Sequence, residues 1–180
     1  MRITPNQITI ARIVALPPAI WTLFQNGTAW QLFSWLIFLA IAMSDVVDGR
    51  LARSSGQITE MGKFLDPVAD KLMIASVMIP LSLQDRFPWW ATIAILFREV
   101  GITLFRALVI SGGVISANRG GKLKSLAQNL GVGWFILPLP TMALFDWFKF
   151  GWLYMAVALT YITAYWYIRA WLHFRDTTAE

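Results

Sequence analysis

Hydrophobic positions fall along this chain in long runs, not in short alternations. Six apolar blocks stand out, running roughly Ile8–Phe24, Ala29–Val47, Phe64–Leu83, Trp89–Ile110, Leu126–Leu144 and Trp152–Trp171. Their lengths approach the span of a bilayer. Irregular backbone is penalised in hydrocarbon, and no period-2 alternation suggests a barrel, so each block predicts a helix. Short polar connections separate them: "QNGT", "GRLARSSGQITEMGK", "QDRFP", "SGGVISANRGGKLKS" and "FDWFKFG", with the tail "HFRDTTAE". No repeat or low-complexity segment interrupts the pattern. The expectation is an all-α integral membrane protein: one domain over residues 1–180 built from six transmembrane helices.

Composition strengthens this reading. Hydrophobic residues make up 57% of the chain and charged residues only 14%, against about a quarter charged in soluble domains. The 10 Trp, 12 Phe and 4 Tyr gather near block ends ("PWW", "DWFKFGW", "YWYIRAW"), where an aromatic belt would sit. With no cysteine and a single His173, disulfides, thiolate catalysis and a histidine metal cluster are excluded. The N-terminal segment starts basic but has no small-residue cleavage site, so it reads as retained structure.

Charge sets an orientation. Arg2 and Arg12 lie in the N-terminal segment, Arg50, Arg53 and Lys63 in the second connection, Arg119, Lys122 and Lys124 in the fourth, and Arg169 and Arg175 at the end. The other side carries only Arg86 and Lys149, each near an acid, Asp85 or Asp146. The positive-inside rule then puts both termini in the cytoplasm. A net charge of +5 suits an anionic leaflet and anionic substrates.

Against this background "SDVVDGRLARSSGQITEMGKFLDPVAD" is anomalous. Asp45 and Asp48 are three apart, Asp66 and Asp70 four apart, so each pair shares a helix face. The intervening loop lets the two faces meet at the cytoplasmic ends of the second and third helices. An isolated carboxylate in hydrocarbon costs several kcal/mol, so four of them need a partner. Oxygen donors without His or Cys point to Mg²⁺ or Mn²⁺. Two such ions would clamp a diphosphate, with Arg53 adding charge. Small residues at Gly49, Ala52 and Gly62 allow close approach of a helix or a phosphate.

The pattern Asp45-x2-Asp48-Gly49-x2-Ala52-Arg53-x8-Gly62-x3-Asp66-x3-Asp70 resembles the signature of the CDP-alcohol phosphotransferase family at every fixed position. That resemblance implies six transmembrane helices, usually as a homodimer. It also implies a cytoplasmic-side site that moves a phosphatidyl-type group from a CDP-linked donor to an alcohol and releases CMP. By the same resemblance Asp45, Asp48 and Asp66 are metal ligands. Asp70 takes the acceptor's proton while lying near a metal, and Gly49, Ala52, Arg53 and Gly62 shape the CDP pocket.

The acceptor is read from the remaining cations. Arg106 and the group Arg119, Lys122 and Lys124 suit a phosphate-bearing alcohol better than serine or choline. Arg98, beside Glu99, reads equally as half of a structural ion pair. "PNQITIARI" and "REVGITLFRALVISGGV…GGKLKSLAQ" resemble the branch of the family that acts on glycerol 3-phosphate. That branch places Asn6, Thr9 and Arg12 near the donor, although Asn6 and Thr9 also suit simple capping after Pro5. The expectation is a transferase using CDP-diacylglycerol and glycerol 3-phosphate among membrane lipids in a bacterial plasma membrane, with no nucleic-acid partner. The alternatives are an inositol-phosphate or cardiolipin-forming member, or, in another class, a divalent-cation transporter. One-sided clustering of the carboxylates argues against transport, and a bare structural scaffold leaves them without a purpose.

Overall fold

A computed structural model describes residues 5–55, 60–109, 119–140 and 142–178. Within these, the side chains at 5, 6, 8, 45–55, 60–67, 106–107, 119–124 and 174–178 lie outside the description. Among the described residues six helices follow one another: α1 (Pro5–Leu23), α2 (Thr28–Ser55), α3 (Glu60–Leu83), α4 (Trp89–Val109), α5 (Arg119–Ile136) and α6 (Ala143–Thr178). The six predicted helices are therefore all present, in order.

Their boundaries depart from the sequence reading in an informative way. The loop expected over 49–63 is helical at 49–55 and again from Glu60. Leu51, Ala52 and Arg53 are strong helix formers, which outweighs the roughly 1 kcal/mol cost of an interior Gly49. The connection expected at 111–125 gives way to α5 at Arg119. The connector "FDWFKFG" is the start of α6, with Asp146 in its first turn, where a carboxylate is favoured by the helix dipole.

Among the described residues no helix is long and apolar enough to cross a membrane. Polar positions break up the apolar runs. Arg98, Glu99 and Arg106 fall inside α4, Pro17 and Pro18 inside α1, and Tyr, Trp and Thr are interspersed along α6.

The chain divides into two compact units, Met1–Pro88 with Val132–Pro140, and Trp89–Gly131 with Thr141–Glu180. In the first, α1 packs against both α2 and α3. Its core holds Leu16 and Leu23 of α1, Phe38 and Ile41 of α2, and Met73, Val77, Met78 and Leu81 of α3. α3 ends in a Schellman motif: the Arg86 amide donates to the Leu81 carbonyl (2.9 Å) and the Asp85 amide to that of Ser82 (3.1 Å). Asp85 takes the left-handed conformation this turn requires, φ 55°. Arg86 then donates from Nη2 to the carbonyls of Phe135 (3.3 Å) and Ile136 (3.0 Å), closing the end of α5. Burial lowers its pKa from the ordinary arginine value, but a guanidinium stays charged.

In the second unit α4 packs against α6. The Tyr161 hydroxyl donates to the Ala94 carbonyl (3.0 Å), and Trp90 stacks on Tyr154. Trp152 Nε1 donates to the Ala127 carbonyl of α5 (2.9 Å). The same indole lies over Gly131, where an added Cβ would stand 3.1 Å from Trp152 Cδ1. Only glycine gives the ring that approach without displacement.

Candidate functional site

The buried face of α1 is the place to start. Thr9, Arg12, Leu16 and Leu23 are all buried and recur at helical spacing, so they form one stripe. A guanidinium in such a stripe needs a partner, because an isolated buried charge costs several kcal/mol. It finds one on α3. Arg12 Nη1 donates to Asp70 Oδ1 at 3.3 Å, and the two side chains are 1% and 53% exposed.

Asp70 sits beside Ala69, which is fully buried. It therefore lies at the edge of the face that α3 turns to the core. This register explains how one residue meets both Arg12 and solvent. Its carboxylate is the described acidic group of the signature, held from the interior and about half exposed.

The other members of the signature are placed by their backbones alone. Asp45, Asp48, Gly49, Ala52 and Arg53 lie on α2, and Gly62 and Asp66 on α3. Their side chains, like that of Asn6 on α1, are outside the described residues. The aspartates are not at helix ends, as the sequence reading had them. α2 continues to Ser55 and α3 starts at Glu60, so each pair stands back from its terminus by about two turns. The spacings of three and four on continuous helix keep each pair on one face.

This donor set suits a divalent cation. It consists of oxygen ligands, and the chain has no cysteine. Asp70, the described member, is a solvent-accessible carboxylate paired with Arg12, an oxygen donor of the kind a hard cation takes. Among the described residues no group of three or more metal-ligating side chains gathers. Asp45, Asp48 and Asp66 are outside that set.

The second unit holds the candidate acceptor cations. Arg106 lies on α4 and Arg119, Lys122 and Lys124 in the first turns of α5, with side chains outside the described residues. Arg98 is described, and it is committed elsewhere. Its Nη1 donates to Glu99 Oε1 (3.1 Å), its Nε to the Thr160 carbonyl (2.9 Å) and its Nη2 to Thr163 Oγ1 (2.9 Å). The ion-pair reading of Arg98 and Glu99 is thus the one the fold adopts.

Sequence reasoning missed the pairing of Arg12 with Asp70. A signal existed: Arg12 is a lone cation within an apolar block and shares a helical stripe with Thr9 and Leu16. Such a charge has to meet an acid from another helix.

The CDP-alcohol phosphatidyltransferase family model matches residues 2–166, most of both units. A Mycobacterium tuberculosis protein named "Probable phosphatidylglycerophosphate synthase" is 44% identical over 137 residues, covering 74% of this chain and 66% of the relative. The chain thus spans about two thirds of the length of that relative. A Bacillus subtilis protein named CDP-diacylglycerol--glycerol-3-phosphate 3-phosphatidyltransferase is 36% identical over 146 residues, covering 74% of this chain and 76% of its own length. A Rickettsia typhi protein of the same name is 33% identical over 175 residues, covering 94% and 97%. Together with the signature carried on α2 and α3, these matches establish that the chain belongs to the CDP-alcohol phosphatidyltransferase family.

Proposed function

We propose that this protein transfers the phosphatidyl group of CDP-diacylglycerol to glycerol 3-phosphate, giving phosphatidylglycerophosphate and CMP. The observation that carries this reading is the aspartate signature on α2 and α3 in a chain whose relatives bear that activity in their names. Asp70 is the base. The acceptor hydroxyl gives its proton to Asp70, and its oxygen attacks the phosphorus that bears the diacylglycerol. The bond from that phosphorus to CMP breaks in line, and CMP leaves. A half-exposed carboxylate anchored from the interior supports this role, because it is both reachable and fixed.

The family depends on a divalent metal. Asp45, Asp48, Asp66 and Asp70 would hold it, as two Mg²⁺ or Mn²⁺ ions. Bound there, the metal supplies positive charge to the diphosphate and its leaving oxygen. Gly49, Ala52, Arg53, Gly62, Asn6 and Thr9 form the donor side, with Arg12 in the same segment. Arg106, Arg119, Lys122 and Lys124 take the acceptor phosphate. The last three stand in the opening turns of α5, at the end of a helix whose dipole favours an anion.

The six helices form one membrane-associated catalytic domain, supported by a family match that runs across both units. Large apolar side chains face outward along the helices, among them Val14, Ile93, Phe97, Leu108 and Trp166, as lipid contact requires. The distribution of Lys and Arg supports a cytoplasmic site in a bacterial plasma membrane, and the relatives come from bacteria. The working form is a homodimer. Membership of a transferase family sets aside the cation-transport reading.

The test supplies purified protein with CDP-diacylglycerol, Mg²⁺ or Mn²⁺ and each acceptor alcohol in turn, and follows CMP. Release with glycerol 3-phosphate is expected. Release only with inositol phosphate, or with phosphatidylglycerol as acceptor, moves the protein to another branch. No release with any acceptor rejects the transferase reading.

A further inference from the structure

The opening segment of α1 was assigned above to the donor side, yet the geometry gives Arg12 a different task. Its side chain is 1% exposed, so it offers almost no surface to a diphosphate. It meets Asp70, across 58 positions of sequence. We infer that Arg12 is a positioning residue: its buried guanidinium fixes the Asp70 carboxylate in the attitude from which it takes the acceptor's proton. This rests on the transferase reading and deepens it.

Three features support the assignment. Asp70 is half-exposed at the edge of the α3 core face, and an exposed carboxylate left to itself samples several rotamers. Arg12 is held in the α1 stripe between Thr9 and Leu16, both buried, so its head cannot follow such motion. The contact engages Oδ1 from the interior and leaves the carboxylate accessible to solvent. α1 thus acts as a rigid strut for a base carried on α3. A misplacement of about 1 Å in a reacting group can cost around 100-fold in rate.

The experiment uses the full chain in detergent, with CMP release giving kcat and KM for each substrate and direct titration giving the affinity for CDP-diacylglycerol. Arg12→Met is expected to lower kcat about 100-fold while leaving both KM values and donor affinity within about threefold. Arg12→Lys restores a cation to the same place and is expected to regain about tenfold of that loss. If Arg12→Met does not fold, the Lys variant alone decides: a lowered kcat with unchanged KM supports the assignment. A rise in donor KM of about tenfold or more, with kcat retained, overturns it in favour of direct donor contact. Loss of activity that tracks the thermal midpoint alone, with no recovery in the Lys variant, overturns it in favour of a packing role. Wild-type protein that releases no CMP with any acceptor removes both this inference and the reading beneath it, whereas a donor-KM effect removes only the inference.

Discussion

Among the described residues, two helical arginines have little side-chain exposure, one in each unit, and they are used in opposite ways. Arg12 reaches from α1 to Asp70 on α3, and its partner is 53% exposed. Arg98 pairs with its own neighbour Glu99, whose side chain is 13% exposed, and its remaining donors go to Thr160 and Thr163 of α6. The first pair holds a carboxylate out toward solvent. The second is largely shielded from solvent. Thr163 also donates its hydroxyl to the Thr160 carbonyl at 2.9 Å, while the buried Thr160 hydroxyl itself has no partner among the described residues. Charge placed among apolar helices is costly in either case. What separates chemistry from scaffolding is whether a charged partner remains accessible after the pair is made.

The largest effect that follows is on turnover at the open pair. Asp70→Asn is expected to lower CMP release by about 10³–10⁴-fold, the upper range for loss of a general base. The fold should survive, since the amide oxygen still accepts from Arg12, and donor binding should change little. Near-normal turnover in this variant would erase the distinction between the two arginines, because Asp70 would then be structural too.

At the closed pair the expected loss is of stability. Arg98→Ala removes the cation paired with the little-exposed Glu99 and one of the donors to the Thr160 carbonyl. Breaking a buried pair from one side costs about 3–5 kcal/mol, so thermal unfolding in detergent should shift down strongly. Turnover per folded molecule should hold. Arg98→Lys should fall between, as it keeps the charge and loses the planar fork that serves three acceptors. A variant that melts normally yet fails to turn over would place Arg98 in the acceptor site after all.

The proposed function gives the start of α5, in the second unit, the acceptor phosphate. Lys122→Ala and Lys124→Ala are expected to raise KM for glycerol 3-phosphate by about tenfold each, with a smaller change for CDP-diacylglycerol, as loss of a charge-assisted phosphate contact predicts. A change confined to donor KM would move these cations to the other substrate.

Much of this was readable in the sequence. Long apolar blocks announced six helices, because period and block length survive without any knowledge of packing. The signature of Asp45, Asp48, Asp66 and Asp70 was readable because carboxylates beside apolar blocks are anomalous one by one. Boundaries were not readable where polar residues are also good helix formers: Leu51–Arg53 and Lys122–Lys124 look like loop and are helix. The pairing of Arg12 with Asp70 was hidden for a different reason. It joins residues 58 positions apart, and only the packing of α1 on α3 decides which acid a buried cation meets. Arg98 was ambiguous in the same way. Its neighbour Glu99 suggested a pair, but Thr160 and Thr163 lie more than sixty positions away.

The smallest effect concerns the end of α3, which carries the open pair's carboxylate further up the helix. Asp85 occupies the left-handed position of the Schellman motif, where a side chain is strained and glycine is not. Its negative charge also faces the C-terminal end of the helix dipole, the unfavourable end for an acid. Asp85→Gly should therefore stabilise the protein by about 0.5–1 kcal/mol, allowing for glycine's greater freedom in the unfolded chain. For a chain of this size that is about 1–4 °C in the melting temperature. Turnover should not change, because Arg86 keeps its bonds to Phe135 and Ile136 and Asp70 lies about four turns away along α3. If the glycine variant is less stable, the Asp85 side chain makes a compensating contact. If it is more stable but slower, the end of α3 is coupled to the attitude of Asp70, and the strut would extend beyond Arg12.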